Sequence, residues 1–214
     1  MMPNSRSFRS LSRQVAKRRR DLLRGGGKSV FYPPIGQAWS PTDAQAAFSE
    51  AFIVLFVAEL ETYFEWVIEA ALAVLEASLS ASGATQCRGA TSYIGKIVEK
   101  RQQLTKNNNA NWSKIDHFFE FIGIDKSQFP RDFWDDVEII VRDRGNIVHK
   151  SLGLRAVSDP RIVLQKVELA FRKLRIFDRD FAFWLAVRQR ELERLRLIQL
   201  TFQPALGTIA TATP

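Results

Sequence analysis

The stretch Phe52-Ile-Val-Leu-Phe-Val-Ala-Glu-Leu-Glu-Thr-Tyr63 lies in the longest apolar-periodic segment of this 214-residue chain. The segment starts at Ser40-Pro-Thr-Asp43, where a capping serine precedes a proline and an acid, and it runs to about Ser80. A helix with such a wide apolar arc packs against several neighbours at once, so this one is predicted to be the central helix of a bundle. The arc includes Phe48, Phe52, Leu55, Phe56, Tyr63, Val67 and Val74.

Glu59 interrupts that arc. A lone buried carboxylate is costly, so we expect Glu59 to lie near an edge, at a subunit contact or beside a cation. The simplest of these is a partly exposed salt bridge, and the more specific hypothesis pairs Glu59 with Arg142 or Arg144. The other acids of the segment occupy the opposite stripe, at Glu61, Glu65, Glu69 and Glu76.

The rest of the chain also has helical periodicity and no strand pattern of useful length. The last helix starts at Ser158-Asp-Pro160, continues to about Leu200 and has a regular apolar seam from Val163 to Trp184. The fold class is therefore predicted to be all-α, a bundle of four main helices plus short accessory helices. The other predicted helices cover Ser92 to Lys106, Trp112 to Ile122, and about Pro130 onwards.

The composition is that of a globular protein, with 46% hydrophobic residues, and its five tryptophans and sixteen phenylalanines predict an aromatic interior. The single cysteine, Cys87, and two histidines offer neither a disulfide framework nor a metal-ligand cluster, so no metal or cofactor is expected. The longest apolar run, Ala51 to Ala58, is far shorter than the roughly twenty residues of a membrane helix. We expect a cytoplasmic protein with no membrane partner.

The net charge of +8 is concentrated at the N-terminus. Residues 1–30 hold nine Lys and Arg and one acid (9 − 1 = +8), whereas residues 31–214 hold 22 of each sign. We expect a basic arm at 1–30, a helical domain at 31–203 and a disordered tail at 204–214. The arm is either a solvated tail with little to bury, a contact for RNA phosphates, or an organellar transit peptide; no secretory signal is expected. Its densest cations are Lys17, Arg18, Arg19 and Arg20.

One short stretch combines residues suited to phosphodiester chemistry, Arg142-Asp-Arg-Gly-Asn-Ile-Val-His149. Arginine is a permanent planar cation that matches phosphate, and histidine, with an unperturbed pKa of about 6.5, exchanges protons near neutrality. The stretch closes an amphipathic helix, and Gly145 and Asn146 are expected to interrupt that helix.

Here the chain resembles the HEPN superfamily of all-helical domains, many of which are metal-independent ribonucleases of toxin–antitoxin and antiviral defence systems. The resemblance rests on Arg144-Gly-Asn-Ile-Val-His149 and covers roughly residues 40–200. It implies a homodimer whose two motifs form one RNA-cleaving site, with Arg144 and His149 as catalytic residues, and an antitoxin or other defence protein as a further partner. Gly145 departs from the polar residue that usually follows the arginine.

A second register starts at Arg142 and supplies the polar residue as Asp143. We expect Arg144 to be the catalytic arginine, because it projects with Val137 and Ile140 whereas Arg142 projects away from them, and because Gly145 would let the chain turn. Asn146 either contacts the phosphate and orients His149 or only caps the broken helix. The alternatives to an enzyme are a catalytically silent RNA-binding or dimerisation module and a structural adaptor.

Overall fold

A computed structural model describes five stretches of the chain, 5–26, 43–81, 88–106, 110–149 and 160–207. Regular structure in these stretches is entirely helical, which confirms the all-α prediction. In the same stretches, no helix is long and apolar enough to cross a membrane. The elements are α1 (Arg6–Gly26), α2 (Asp43–Ala81), α3 (Arg88–Leu104), α4 (Trp112–Phe121), a 3-10 turn (Lys126–Gln128), α5 (Phe133–His149) and α6 (Pro160–Gly207).

Helix α2 is the centre of the bundle, as its wide apolar arc predicts. It packs against α1, α3, α5 and α6. Its apolar side chains are removed from solvent on almost every side, which makes their burial the largest stabilising contribution to the fold. The predicted cap at Ser40 lies outside the described residues. The most deeply buried positions of α2 are Val57, Leu60, Tyr63, Phe64, Val67, Ile68, Ala71 and Leu72.

An aromatic cluster joins α2 to α4, α5 and α6, in agreement with the composition. Phe64 stacks on Trp134 with ring centroids 5.2 Å apart, and Phe129 stacks on Phe177 at 3.9 Å. Trp112 and Phe119 add a third stacked pair at 5.7 Å. Aromatic pairs in such geometries contribute beyond their buried area, so the cluster fixes how the helices meet.

Two helix ends differ from the predictions. Helix α3 begins at Arg88 rather than Ser92. Helix α6 passes the predicted end at Leu200 and includes Pro204, which was predicted to begin a disordered tail. Proline has a helix-compatible φ, although beyond the first turn it removes one backbone hydrogen bond and its ring crowds the preceding turn. Residues 208–214 lie outside the described residues.

The basic arm is the largest departure from prediction. Residues 6–26 form α1, which packs on α2. Phe8 and Leu11 are buried in the main core, and Phe8 stacks on Phe171 of α6 with centroids 4.9 Å apart. The expectation of a solvated tail with little to bury is therefore wrong for residues 6–26, while the predicted boundary at residue 30 lies outside the described residues. The reason is that Phe8, Leu11 and Val15, spaced by three and four residues, form an apolar face.

Buried hydrogen bonds fix the start of α1. The Ser5 backbone N–H donates to Asp178 Oδ2 at 2.9 Å, and the Ser5 hydroxyl also donates to this carboxylate. The Tyr63 hydroxyl donates to Asp178 Oδ1 at 2.9 Å. Burial, followed by the charge of Asp178, raises the pKa of Tyr63 well above its usual value. Ser5 Oγ accepts the Phe8 backbone N–H at 3.0 Å, so Ser5 caps α1 while it binds the fully buried Asp178.

We predict that Phe8→Ala lowers the free energy of unfolding by about 3 to 5 kcal/mol, because it leaves a cavity in the main core. The neighbouring exposed residue gives the control, and Arg9→Ala should change stability little. Urea unfolding of the two variants measures the difference. Equal stabilities would mean that α1 is not part of the folded core.

Candidate functional site

Helix α5 carries the whole motif without a break. It runs from Phe133 to His149, so the predicted interruption at Gly145 and Asn146 is wrong. A Cβ added at Gly145 would meet no atom within 4 Å, and the glycine φ is not positive. Glycine costs about 1 kcal/mol in a helix, but Ile147 beyond it packs against the main core and holds the helix in place.

Arg144 lies on the inner side of α5, as predicted, where it is half-buried. Its positive charge acts on the Glu61 carboxylate of α2. Burial is the main influence on Glu61 and raises its pKa; Arg144 and the Ala110 backbone N–H, which donates to the carboxylate, counteract the increase, while Glu65 adds to it. Arg144 on α5 therefore lies near enough to Glu61 on α2 for its charge to favour the ionised carboxylate.

The carboxylate that acts with Arg144 is thus Glu61, two residues after the predicted Glu59. Residues two apart on a helix do not face the same neighbour, so the two glutamates serve different sides of α2. Glu59 is half-buried. That position fits the edge of the arc expected for Glu59, and its pairing with Arg142 or Arg144 stays a prediction.

The outer side of α5 presents a different part of the motif. Arg142 and Asn146 are exposed, together with Glu138 one turn earlier. Positions 142, 146 and 149 are spaced by four and three residues and share one helix face, whereas positions 144 and 149 diverge by about 140°. His149 is the last residue of α5, and its side chain lies outside the described set. Helix continuity therefore places position 149 with Arg142 rather than with Arg144.

Asp143, the polar residue of the second register, joins α5 to α6. Lys166 Nζ donates to its Oδ2 at 3.3 Å, and one heptad earlier Lys173 Nζ donates to Asp136 Oδ2 at 2.6 Å. The second pair is the less exposed of the two, with both side chains near 20%. These two ion pairs fix α5 against α6 and so hold Arg142 on the outer side.

A line of cations runs along the exposed face of α1. Phe8 and Leu11 occupy the opposite, buried face, which leaves the cations in solvent. None of the five cations in this line forms an ion pair with an acid in the described part of the chain. They lie at spacings of three and four residues over about 21 Å, and we call them the cation stripe: Arg6, Arg9, Arg13, Lys17 and Arg20.

The cation stripe differs from the predicted RNA contact, which centred on the run from Lys17 to Arg20. Two of those residues, Lys17 and Arg20, belong to the stripe. The side chains of Arg18 and Arg19 lie outside the described set. The spacing of the apolar residues in this segment was the signal that would have separated the stripe from its buried face.

The cation stripe and the motif point to the same end of the bundle. Ser5 contacts Asp178 and Phe8 contacts Phe171, so α1 runs antiparallel to α6. Asp136 contacts Lys173 and Asp143 contacts Lys166, so α5 also runs antiparallel to α6. Both helices consequently head toward the N-terminal end of α6, the stripe on one and the Arg142 face on the other.

His117 lies apart from this arrangement, on the exposed side of α4. Burial and then the charge of Lys100 lower its pKa, while neighbouring acids, Asp116 first, oppose the change. Its ring contacts Phe118 with centroids 4.0 Å apart. These contacts fit a surface histidine.

No family model, curated protein or solved structure matches this chain. The resemblance of its motif to the HEPN pattern therefore stays a prediction, and function is inferred from the geometry of α1 and α5.

We predict that Gly145→Ala raises the free energy of unfolding by about 0.5 to 1 kcal/mol, because alanine favours the helix and open space surrounds the added methyl. Gly95→Ala is the matched control: Gly95 is an exposed residue of α3 with equally open surroundings. Urea unfolding should give similar gains for both. A loss of stability for Gly145→Ala alone would indicate that the chain turns at this glycine.

Proposed function

We propose that this chain is a metal-independent endoribonuclease of a defence or toxin–antitoxin system, with its catalytic face on the outer side of α5. The observation that supports this proposal is the exposure of Arg142 and Asn146 on the helix face that also includes position 149. The resemblance to HEPN domains supplies the reaction. The continuity of α5 supports the register that begins at Arg142, so the catalytic arginine proposed here is Arg142 rather than Arg144.

The proposed reaction is an internal transesterification. His149 accepts the proton of a ribose 2′-OH, the oxygen attacks the adjacent phosphorus, and the bond from phosphorus to the 5′ oxygen breaks. The leaving oxygen takes up a proton, which leaves a 2′,3′-cyclic phosphate and a 5′-OH end. The Arg142 guanidinium stabilises the charge on the phosphorane, since its donors match two phosphate oxygens. Asn146, midway along the face, donates to a phosphate oxygen or orients His149.

A homodimer would complete this site. Positions 142 and 149 are separated by two helical turns, about 10 Å, which is far for one phosphate to contact both side chains. If two α5 helices cross antiparallel about a two-fold axis near position 146, Arg142 of one protomer lies opposite His149 of the partner subunit. The composite site that the HEPN resemblance implies thus suits the register beginning at Arg142.

The cation stripe on α1 would hold the RNA. Five exposed cations on one helix face attract a polyanion regardless of its sequence. Because α1 is fixed to the core by Phe8 and by the Ser5 contact with Asp178, the cations keep a defined position relative to α5. Their proposed role is affinity and positioning, whereas the chemical step belongs to α5.

The second candidate is an RNA-binding module that does not cleave. The proximity of Arg144 to Glu61 favours it, because the charge of one of the two motif arginines is partly balanced within the bundle. In this case the cation stripe carries the whole function. Cleavage assays separate the two candidates, since both predict binding and only the enzyme yields cyclic phosphate ends.

We predict that the wild-type chain cleaves RNA in EDTA, and that Arg142→Lys and His149→Ala each lower the cleavage rate at least about a hundredfold, the scale expected when acid–base catalysis or charge stabilisation is removed. Arg144→Lys should retain most activity, because lysine keeps the charge beside Glu61. Gly145→Ala should also remain active. Single-turnover cleavage of a labelled RNA with end analysis measures these rates; inactivation by Arg144→Lys alone would restore the shorter register.

We predict a separate effect on RNA binding from the triple substitution Arg9→Gln, Arg13→Gln and Lys17→Gln. The dependence of log affinity on log salt should become shallower by about 0.7 for each single-strand phosphate that the protein no longer neutralises, or about 2 in total. The matched control neutralises three exposed lysines on other elements: Lys96, Lys114 and Lys126. Fluorescence anisotropy with a non-cleavable 2′-deoxy oligonucleotide measures both. Equal salt slopes for the two triple variants would show that the cation stripe does not contact RNA phosphates.

A further inference from the structure

The outer face of α6 exposes large apolar side chains at a constant interval. Ile162, Leu169, Ile176 and Phe183 are 49%, 44%, 47% and 53% exposed, and each follows the last by seven residues. We call these four residues the outer stripe. The buried side of the same helix, with Val167, Leu174, Phe177 and Phe181, faces α2 and α5. The outer stripe therefore points away from the core of its own chain.

The seven-residue interval of the outer stripe indicates the shape of a binding partner that would fit this surface. Single exposed apolar residues are common on proteins, but four aligned ones along about 32 Å of helix form a continuous contact line. A seven-residue repeat supplies one of the two seam positions by which one α-helix packs along another, and the second positions here are polar or charged. The outer stripe thus fits a second helix of about six turns, with its charged flanks close to the contact, rather than a compact lobe or a small molecule.

The edges of the outer stripe differ in charge. Along one edge lie Arg172 and Arg179, three residues after Leu169 and Ile176 respectively, and both arginines are partly or fully in solvent. Arg179 has an exposed contact with Asp180 at 3.2 Å, and exposed pairs of this kind contribute little.

The other edge carries two lysines whose charge is already balanced. Lys166 pairs with Asp143 at 3.3 Å and Lys173 pairs with Asp136 at 2.6 Å, both acids being on α5. The outer stripe is consequently bordered mainly by arginines on one side, where Glu168 lies one turn before Arg172, and on the other by two lysines paired with acids of α5 and by the exposed Asp180.

We propose that the outer stripe of α6 binds an amphipathic α-helix of a partner protein that carries acidic residues along the side facing Arg172 and Arg179. The acids would pair with the arginines while apolar residues of the partner cover the stripe. An antiparallel two-fold contact with a second copy fits poorly, because it uses the same patch twice and brings the arginine edges together; a parallel contact would set the arginine edge against the lysine edge, which again joins like charges. This binding surface is independent of the proposed cleavage at α5.

The test uses two labelled helical peptides of four heptads, each with leucine at the seam positions and with either glutamate or lysine at the flanking positions. Fluorescence anisotropy with the full chain should show binding of the glutamate peptide and at least about tenfold weaker binding of the lysine peptide, as expected when opposite charges are replaced by like charges. The double variant Leu169→Gln, Ile176→Gln should weaken glutamate-peptide binding at least about tenfold, because less apolar surface is buried in the complex. Val98→Gln is the control, since Val98 on α3 is 45% exposed and lies outside the stripe.

Reversing the charge of two arginines makes the test specific to the arginine edge of the outer stripe. Arg172→Glu with Arg179→Glu should reverse the preference, so that the lysine peptide binds better. The triple cation-stripe variant of α1 should still bind the glutamate peptide, which excludes capture by α1. Unchanged binding in the Leu169, Ile176 double variant overturns the proposal. So does a wild-type dimer, seen by light scattering, that the same double variant dissociates, because a second copy would then occupy the stripe.

Discussion

The burial of α2 is the constraint on which the other helices depend. Because its apolar arc is wide, the helix needs neighbours on nearly every side, and α1, α3, α5 and α6 supply them. The carboxylates of α2 lie at the edges of that arc, where arginines of neighbouring helices approach them. Arg101 of α3 binds Glu69 at 2.9 Å and Glu76 at 2.6 Å, while Arg144 of α5 acts on Glu61. The acidic stripe of α2 is thus used to position helices, and the orientation of the motif follows from that use.

The sequence predicts the fold well wherever periodicity is strong and local. Helix α4 is predicted to within a residue, and α2 is recognised as central from its own pattern. The packing of helix α1 on the core is not predicted, because its buried face consists of few apolar residues among many cations. Its position depends on Asp178, which is 173 residues from Ser5 in the chain. No local pattern of residues 5–26 indicates that the Ser5 N–H and hydroxyl donate hydrogen bonds to a buried carboxylate on α6.

The candidate site shows the same division between local and long-range information. The outward position of Arg142 and the inward position of Arg144 follow from helical projection and are confirmed by their exposure. The turn at Gly145 is wrong, because a glycine costs a helix only about 1 kcal/mol. The packing of the partly buried Ile147, beyond Gly145, against the main core favours continuing α5. Tertiary contacts outweigh a local signal of that size.

The two arginines of the motif are consequently unequal as phosphate ligands. The charge of Arg144 is already opposed by Glu61, and a phosphate brought to Arg144 would also approach Glu61 and, one turn along α2, Glu65. Repulsion from these carboxylates offsets part of the attraction, and the half-buried guanidinium would lose its partner in the exchange. Arg142 has solvent on its side of α5, so a phosphate can take up its paired donors without displacing an acid. The requirement that a half-buried cation lie near an opposite charge therefore favours a structural role for Arg144, and under the proposed function it leaves Arg142 to contact RNA.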